Sequence, residues 1–325
     1  MKKKIENKQK FVKNAKPKST ESFFNRHLGM MFFLISFLSC VIIFGVIAAF
    51  LMRSILPINT NSSDSDSNIS KPVAGVSAAT LNPSDTFNML LAFTDDTTGK
   101  PIQFMLLRLD SQARRLAVMS IPQELKMSYN GANKTITAMF SENGFSATQK
   151  TFAAYAGIKI DYYCSATTTN LSSIVNSFGG ITYNVTNEIT YTMPQDNRIV
   201  NVKAGNQYLE FNKIISLISY NAYPELATRY QVQTELMKAF VVQKFSEYYL
   251  DNASTFFKNI FNNVNTNFSM NDLLTKLDSF KKISSGGGDY VYALTPTFTE
   301  ATQDNEVMVL LDSKTKTAIN QYFGS

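Results

Sequence analysis

Leu28 to Met52 is a run of 25 residues without a charged side chain, and it constrains this chain more than any other feature. A segment so long and apolar satisfies its backbone groups internally, as a helix able to cross a bilayer with some tilt. Ahead of it, residues 1–27 hold nine Lys or Arg and two Glu. The positive-inside rule keeps that tail in the cytoplasm and sends the chain from Arg53 onward outside. A cleaved leader has a shorter apolar core and a small-x-small site, and Ala48-Ala49 is a poor version of one. The segment therefore reads as an uncleaved anchor, and Cys40, with apolar residues continuing after it, as a small lipid-facing side chain. The expectation is a single-pass protein of the cell membrane with its main domain extracellular.

The basic tail also explains the charge. The formal net charge is +6 and the pI about 9.1, yet beyond residue 27 there are 22 basic and 23 acidic side chains. A tail of this kind touches anionic lipid heads, and a main domain near neutrality is not a nucleic-acid binder. The only histidine, His27, lies in the tail, and the two cysteines are Cys40 and Cys164. A disulfide framework, a Cys/His zinc site, a Cys-His dyad and a Ser-His-Asp triad are all excluded from the main domain. Catalysis there has to use carboxylates, Lys, Arg, Tyr or a metal held by oxygen.

Asn59 to Ser70 (NTNSSDSDSNIS) is polar and reads as a disordered tether. With its flanks up to Asn82 it reaches roughly 25–30 Å, which holds the following domain near the membrane. The expected organisation is a tail (1–27), an anchor (28–52), a linker (53–82) and one extracytoplasmic domain (83–325).

Within that domain Phe87–Phe93, Ile102–Leu109 and Leu116–Ile121 are short, nearly continuous apolar runs, the pattern of strands buried on both faces. Ser146–Ala156 and Thr169–Phe178 predict helices, with a strand at Ile158–Tyr163 between them. Gly179-Gly180 closes the second helix ahead of a strand at Ile181–Val185. Leu209–Ser219 predicts a helix, and Pro224 fits the first turn of a long one from Glu225 to about Leu250. One or two helices cover Ala253–Lys282, and Ser284–Gly288 is a loop. Strands at Tyr290–Leu294 and Val307–Leu311 and a helix at Lys314–Phe323 complete the alternation. The fold class is α/β, a three-layer α/β/α domain with a mixed central sheet.

In such sheets ligands sit beyond the carboxyl ends of strands. Pro122 ends the run Leu116–Ile121, so Gln123 and Glu124 emerge where chemistry is expected. Asp95-Asp96 closes the first strand and fits either a Mg²⁺ site or a turn. Arg229 and Gln233, four apart on the long helix, share a face. An inward Arg229 fits a phosphate or carboxylate partner, or an internal salt bridge. Gly286-Gly287-Gly288 lacks the Lys-Ser/Thr of a phosphate loop. Ser279-Phe280-Lys281-Lys282 has no companion motif and reads as a helix end.

From Phe87 to Phe323 the chain resembles the LytR-CpsA-Psr family of Gram-positive cell envelopes. Asn88-Met89-Leu90-Leu91 with Asp95 is similar to the family's first strand and its acidic residue. Leu116–Glu124 resembles the strand ending Ser-Ile-Pro-Arg-Asp, and Ile136–Phe140 its Ile-Asn-Ala-x-Tyr. The most specific stretch is Ile160–Tyr163 followed by Leu171–Val185 with Phe178-Gly179-Gly180-Ile181. The resemblance implies a transferase that moves a glycopolymer from a polyprenyl-pyrophosphate carrier to peptidoglycan. It further implies Mg²⁺ on aspartates, arginines on the pyrophosphate and the lipid in an apolar pocket, the ordinary means of phosphoryl transfer.

Against that pattern several side chains differ. The family's arginine after Ser-Ile-Pro is Gln123 and its aspartate is Glu124. Its Arg-Ser-Asp aligns with Lys100-Pro101-Ile102, and its paired arginines fall on Ser219 and Asn221. On the long helix its aspartate falls on Leu226 and its second arginine on Val232, while Arg229 and Gln233 are kept. Each lost Arg–phosphate contact removes about 1.5–3 kcal/mol. The sequence therefore points to a catalytically impaired paralogue that binds a polyprenyl-phosphate-linked glycan or lipid, or regulates wall assembly through peptidoglycan or an active paralogue. One alternative is a divergent active enzyme with Asp95 and Glu124 as catalytic residues, Asp95 on Mg²⁺, and Arg229, Gln233, Gln123 and Arg108 on phosphate. The other is a structural envelope protein without a ligand.

Overall fold

The computed structural model describes residues 82–286, 289–303 and 306–324. The expected tail, anchor and all but the last residue of the linker lie outside them. Among the described residues no helix is long and apolar enough to cross a membrane.

The sheet grows from a meander. Strands β1 (Phe87–Thr94), β2 (Pro101–Asp110) and β3 (Arg115–Ile121) follow one another and pair antiparallel, Leu90 opposite Leu106 and Leu106 opposite Met119. Consecutive side chains point to opposite faces, and both faces of all three strands are apolar. Leu90, Phe104, Leu106 and Met119 are fully buried, each worth roughly 1.5–3 kcal/mol of transfer free energy.

The chain then forms a hairpin, β4 (Lys126–Tyr129) with β5 (Ala132–Thr135). Its turn, Asn130-Gly131, has positive φ at both positions (50° and 80°), as a two-residue hairpin turn requires. Helix α1 (Ile136–Ala156) starts at Thr135, whose hydroxyl accepts from the Ala138 amide, and it breaks at Gly144 (φ 76°, ψ 178°). The expected helix at Ser146 is its second half.

The strand expected at Ile158–Tyr163 instead starts at Tyr162 as β6 (Tyr162–Thr167). The Asp161 carboxylate accepts from the Asn88 amide (3.0 Å) and the Asn88 side chain donates to the Lys159 carbonyl (2.7 Å). Those bonds, together with the Asp161 amide on the Asn88 carbonyl (3.0 Å), hold residues 159–161 against the start of β1. Helix α2 (Thr168–Phe178) follows, then β7 (Ile181–Val185), the hairpin β8 (Ile189–Thr192) with β9 (Ile199–Val202), and β10 (Gly205–Leu209) back on β7.

Leu209 therefore ends a strand, and helix α3 (Phe211–Ser219) begins after it. Helix α4 (Leu226–Lys244) starts two residues beyond Pro224, which lies outside it. It stops at Lys244, short of the expected end, because Phe245 turns in against Phe257 and Phe280 (ring centroids 5.4 and 5.5 Å). Helices α5 (Glu247–Asp251), α6 (Ala253–Asn262) and α7 (Met270–Ser284) follow, with β11 (Asn265–Thr266) between the last two. Strand β12 (Val291–Leu294), the hairpin β13 (Phe298–Gln303) with β14 (Glu306–Leu311), and helix α8 (Ser313–Phe323) end the chain.

The sheet order is β11-β6-β1-β2-β3-β12, with β6 parallel to β1 and β12 parallel to β3. The sheet is mixed, as expected. Leu90, Phe104, Met119 and Ile121 pack with α1 and α8 on one face. Phe87, Leu109, Leu116 and Val118 pack with α2, α4, α6 and α7 on the other. Helix α4 is buried nearly all round, because the sheet covers one side of it and β7 and α3 cover another.

Candidate functional site

Pro122 cannot continue the ladder, so β3 releases the chain directly over α4. A turn forms there, with the Leu125 amide bonded to the Pro122 carbonyl (3.0 Å). The Glu124 carbonyl accepts from Val309 in β14 (2.9 Å), and the Thr137 hydroxyl donates to the Gln123 carbonyl (3.0 Å). Neighbours thus pin the backbone and leave the side chain of Glu124 to face the helix.

Helix α4 presents Arg229, Tyr230, Gln233 and Thr234, a spacing that puts all four on one side. Thr234 accepts from the Ser120 amide (3.0 Å), and the Ser120 hydroxyl donates to Gln233 Oε1 (2.7 Å). Gln233 Nε2 donates to the Ile218 carbonyl (2.8 Å). The Tyr230 hydroxyl accepts from the Gln123 amide (2.9 Å) and donates to the Glu124 carboxylate. Burial, and then the charge of Glu124, push that phenol well above the ordinary tyrosine range. It stays a hydroxyl donor at any physiological pH.

Arg229 is 8% exposed, and its guanidinium meets the other Glu124 oxygen at 3.5 Å. Arg229 thus makes the internal salt bridge that the sequence left open beside an anion partner. Glu124 is the more open member of the pair, its side chain 23% exposed against 10% for Arg229, and an incoming anion competes with it for this arginine.

Asp95 closes the corner from β1. Its Oδ1 accepts from the Thr97 and Thr98 amides (3.0 and 2.8 Å), the bonding of a turn aspartate, and Oδ2 accepts from Gln195 Nε2 (3.1 Å). Gln195 comes from the loop between β8 and β9. From β8, Tyr191 bonds Ser219, and burial raises its phenol above the ordinary tyrosine range. Asp96 points elsewhere and accepts from the Thr168 hydroxyl (2.5 Å) and the Thr169 amide (2.6 Å) at the start of α2.

Mg²⁺ demands a near-octahedral set of oxygens. Both oxygens of Asp95 are bonded, Glu124 is held by Arg229 and Tyr230, and Asp96 caps a helix. Among the described residues no three carboxylate, His or Cys side chains gather. In this arrangement each of these carboxylates is engaged by protein groups.

Arg108 stands apart from the other candidates. It pairs across the sheet with Asn88 and Ala117, at the opposite end of the strands. There its guanidinium donates to the Phe323 carbonyl (3.1 Å) and approaches Asp110 (3.6 Å). Val232, which the resemblance aligns with an arginine, is buried in the cluster that joins α3, α4 and β7.

Beside the corner, between the sheet and α2, α3, α4, α6 and α7, lies a cavity of about 230 Å³. Its walls are apolar, among them Met89, Leu107, Ile174, Ile214, Met237 and Phe261, with Gln103 and Gln233 as polar exceptions. Gln233 belongs to the cavity and the corner at once. Of six buried polar side-chain atoms without a partner among the described residues, three are here: Gln103 Oε1, Gln123 Nε2 and Arg229 Nε. Such atoms cost free energy unless a ligand or water meets them.

Sequence reasoning named Gln123, Glu124, Arg229 and Gln233, which the fold brings together, and Asp95, which it sets at the margin. The sequence did not single out Tyr230, Tyr191, Gln103 or Gln195 as site residues. Tyr230 adjoins Arg229, which was the available signal. Gln195 gave none, since nothing local ties a polar loop residue to an aspartate a hundred positions earlier.

The model of the LytR_cpsA_psr family matches residues 54–321. Among solved structures, a protein of Eubacterium siraeum DSM 15702 superposes with a TM-score of 0.66 at 18% identity, covering 81% of this chain and 99% of that one. TagV of B. subtilis gives 0.62 at 18%, covering 73% and 97%. TagT of B. subtilis gives 0.60 at 17%, covering 75% and 93%, and TagT has also been solved bound to LIIa-WTA and to LI-WTA. No curated protein matches the chain.

Proposed function

We propose a function from one premise: this chain belongs to the LytR_cpsA_psr family, whose model spans residues 54–321. On that premise it is a cell-envelope protein anchored by residues 28–52, with its domain on the outer face. It holds the lipid end of a polyprenyl-linked glycan, or a free lipid, in the apolar cavity and does not perform the transfer.

The cavity carries the binding half of this reading. Side chains leave about 230 Å³ unfilled there, far more than the ~10–15 Å³ one water needs. At roughly 24 cal/mol per Å³, packing forgone on that scale is on the order of 5 kcal/mol. A protein that needed only to be a scaffold would gain by closing it. That TagT is seen with wall-teichoic-acid precursors supports a polyprenyl-linked occupant here.

The corner carries the other half. Phosphoryl transfer needs cations on the developing charge, and here one guanidinium is shared with Glu124 while Gln123, Ser219, Asn221 and Val232 contribute none. The test is to supply the full-length protein with Mg²⁺, a polyprenyl-diphosphate-linked glycan and peptidoglycan. Retention of the lipid with no glycan on the peptidoglycan is the expected result. Transfer that vanishes in Arg229→Ala would sink the impaired-enzyme reading.

A further inference from the structure

Among the described residues the two most exposed aromatic side chains are Tyr248 (64%) and Tyr208 (55%), and the fold brings them together from α5 and β10. The Tyr208 hydroxyl donates to the Gly180 amide (2.6 Å). Tyr248 packs against Tyr249 and Phe256 (ring centroids 5.2 and 5.6 Å). Tyr249 stacks on Phe178 (5.3 Å), and its hydroxyl donates to the Phe178 carbonyl (2.9 Å), which also accepts from Lys244 (2.7 Å). A Cβ on Gly179 would meet both the Tyr208 hydroxyl and the Lys244 amine (3.2 and 3.8 Å). Phe178-Gly179-Gly180 is thus the stem of one aromatic patch.

The patch lies at a defined end of the domain. Strand β6 runs parallel to β1, and α2 turns back from its far end, so Phe178 returns to where β1 begins and packs in one cluster with Phe87, Leu109 and Leu116. The described chain enters at that same end. There the Asn82 carbonyl accepts from Ser111, just past β2 (2.8 Å), and the Ser84 carbonyl from Lys276 of α7 (3.5 Å). The corner of Gln123, Glu124 and Arg229 is at the opposite end, where β3 finishes, and α4 runs from the one to the other.

We infer that the end bearing Tyr208 and Tyr248 rests on the outer leaflet of a bilayer, with both rings seated among the lipid head groups. The inference rests on the proposed reading that residues 28–52 anchor the chain, and goes beyond it by saying which end of the domain meets the membrane. Rings with an apolar body and a polar tip are the side chains that gather at a membrane–water boundary. The linker expected up to Asn82 reaches roughly 25–30 Å, and Asn82 shares its end of the fold with the patch. A tether of this kind gives an effective concentration of about 1 mM, so a surface whose own Kd for the leaflet is about 1 mM is docked half the time. Two tyrosines need supply no more than that. The exposed charges next to them in the chain, Glu247 beside Tyr248 and Lys258 beyond Phe256, are of opposite sign, so neutral lipid suffices.

The chain has no tryptophan, so one introduced reports only its own position. The full-length protein is placed in phosphatidylcholine nanodiscs as Tyr208→Trp, Tyr248→Trp or Leu310→Trp, the last 42% exposed on β14 beside the corner. Fluorescence is then compared between plain lipid and lipid brominated at the head-group end of its acyl chains. Tyr208→Trp and Tyr248→Trp are expected to lose about half their emission, as half-time docking requires, and Leu310→Trp none. Adding Tyr248→Ser to Tyr208→Trp should restore most of the lost emission without lowering the melting temperature, since Tyr248 is an exposed side chain. Quenching at Leu310→Trp equal to or above the others overturns the choice of end, and quenching of Tyr208→Trp that survives Tyr248→Ser overturns the role of the pair. Protein that stays with the discs while no position is quenched overturns the docking and leaves the anchor standing. Protein that separates from the discs overturns both.

Discussion

Tyr230 is the residue on which the corner turns. Its ring is fully buried, packed edge-on to Phe298 (6.0 Å), and its one polar atom both accepts from Gln123 and donates to Glu124. Tyr230→Phe removes the hydroxyl and leaves the Gln123 amide and a Glu124 oxygen to find other partners. The expected cost is about 1–2 kcal/mol, read as a lower urea midpoint at constant m-value, and an unmoved midpoint would show the pair to be satisfied elsewhere. Asp96 gives a pH signature. Burial pulls its carboxyl upward, but bonds from Thr168, Thr167 and Thr169 outweigh that and hold it at about 2, below the ordinary 3.8. Folding therefore favours the ionised form, and this contribution is complete above about pH 4 and drains away as pH falls toward 2. On an exposed carboxylate water screens it to no more than about 1 kcal/mol. The melting temperature of Asp96→Asn should accordingly drop less between pH 4 and pH 2 than that of the parent, and equal slopes would rule the contribution out. The sequence left Asp95-Asp96 open between metal and turn because nothing local shows that Thr168 and Gln195 will arrive to claim the carboxylates.

Among the elements, β1, β2 and β3, with their nearly continuous apolar runs, and also β7, α2 and α8, stand within a residue or two of where the pattern puts them. The hairpins were not legible. Asn130-Gly131 is the strongest two-residue hairpin signal in the chain, yet the flanking strands, Lys126–Tyr129 and Ala132–Thr135, are too polar to announce themselves. The end of α4 at Lys244 was hidden for another reason, since no breaker stands there and tertiary aromatic packing turns the chain. Gly179-Gly180 was read as a helix stop, and the fold gives its second glycine an additional duty. A Cβ on Gly180 would sit 2.0 Å from the Leu209 carbonyl oxygen, where β10 crosses. Gly180→Ala must push that strand off β7, at a cost above about 3 kcal/mol. Gly157, in the left-handed region at φ 66° but with open space around it, should lose only about 1 kcal/mol as Ala. Chemical denaturation of the two variants separates backbone collision from φ strain, and equal losses would contradict the assignment of a clash at Gly180.

At the scale of the whole molecule, the sheet joins strands that are neighbours in the chain to strands that are not. The meander β1-β2-β3 closes within residues 87–121, while β12 reaches β3 by pairing Val291 with Leu116. Local pairings form early and distant ones wait for the chain between them to be organised. The cavity draws its walls from both groups, from Phe87 at one end to Phe280 at the other. Time therefore enters its construction: the floor is laid by the first strands, and the roof arrives only with α6 and α7. In pulse-labelling hydrogen exchange, amides of Leu90, Leu106 and Val118 should gain protection before those of Val291 and Leu294. Simultaneous protection would mean one cooperative closure. With the staged order, an apolar molecule that met the half-built floor would be enclosed as folding finished, so the order of closure decides when the cavity can be filled.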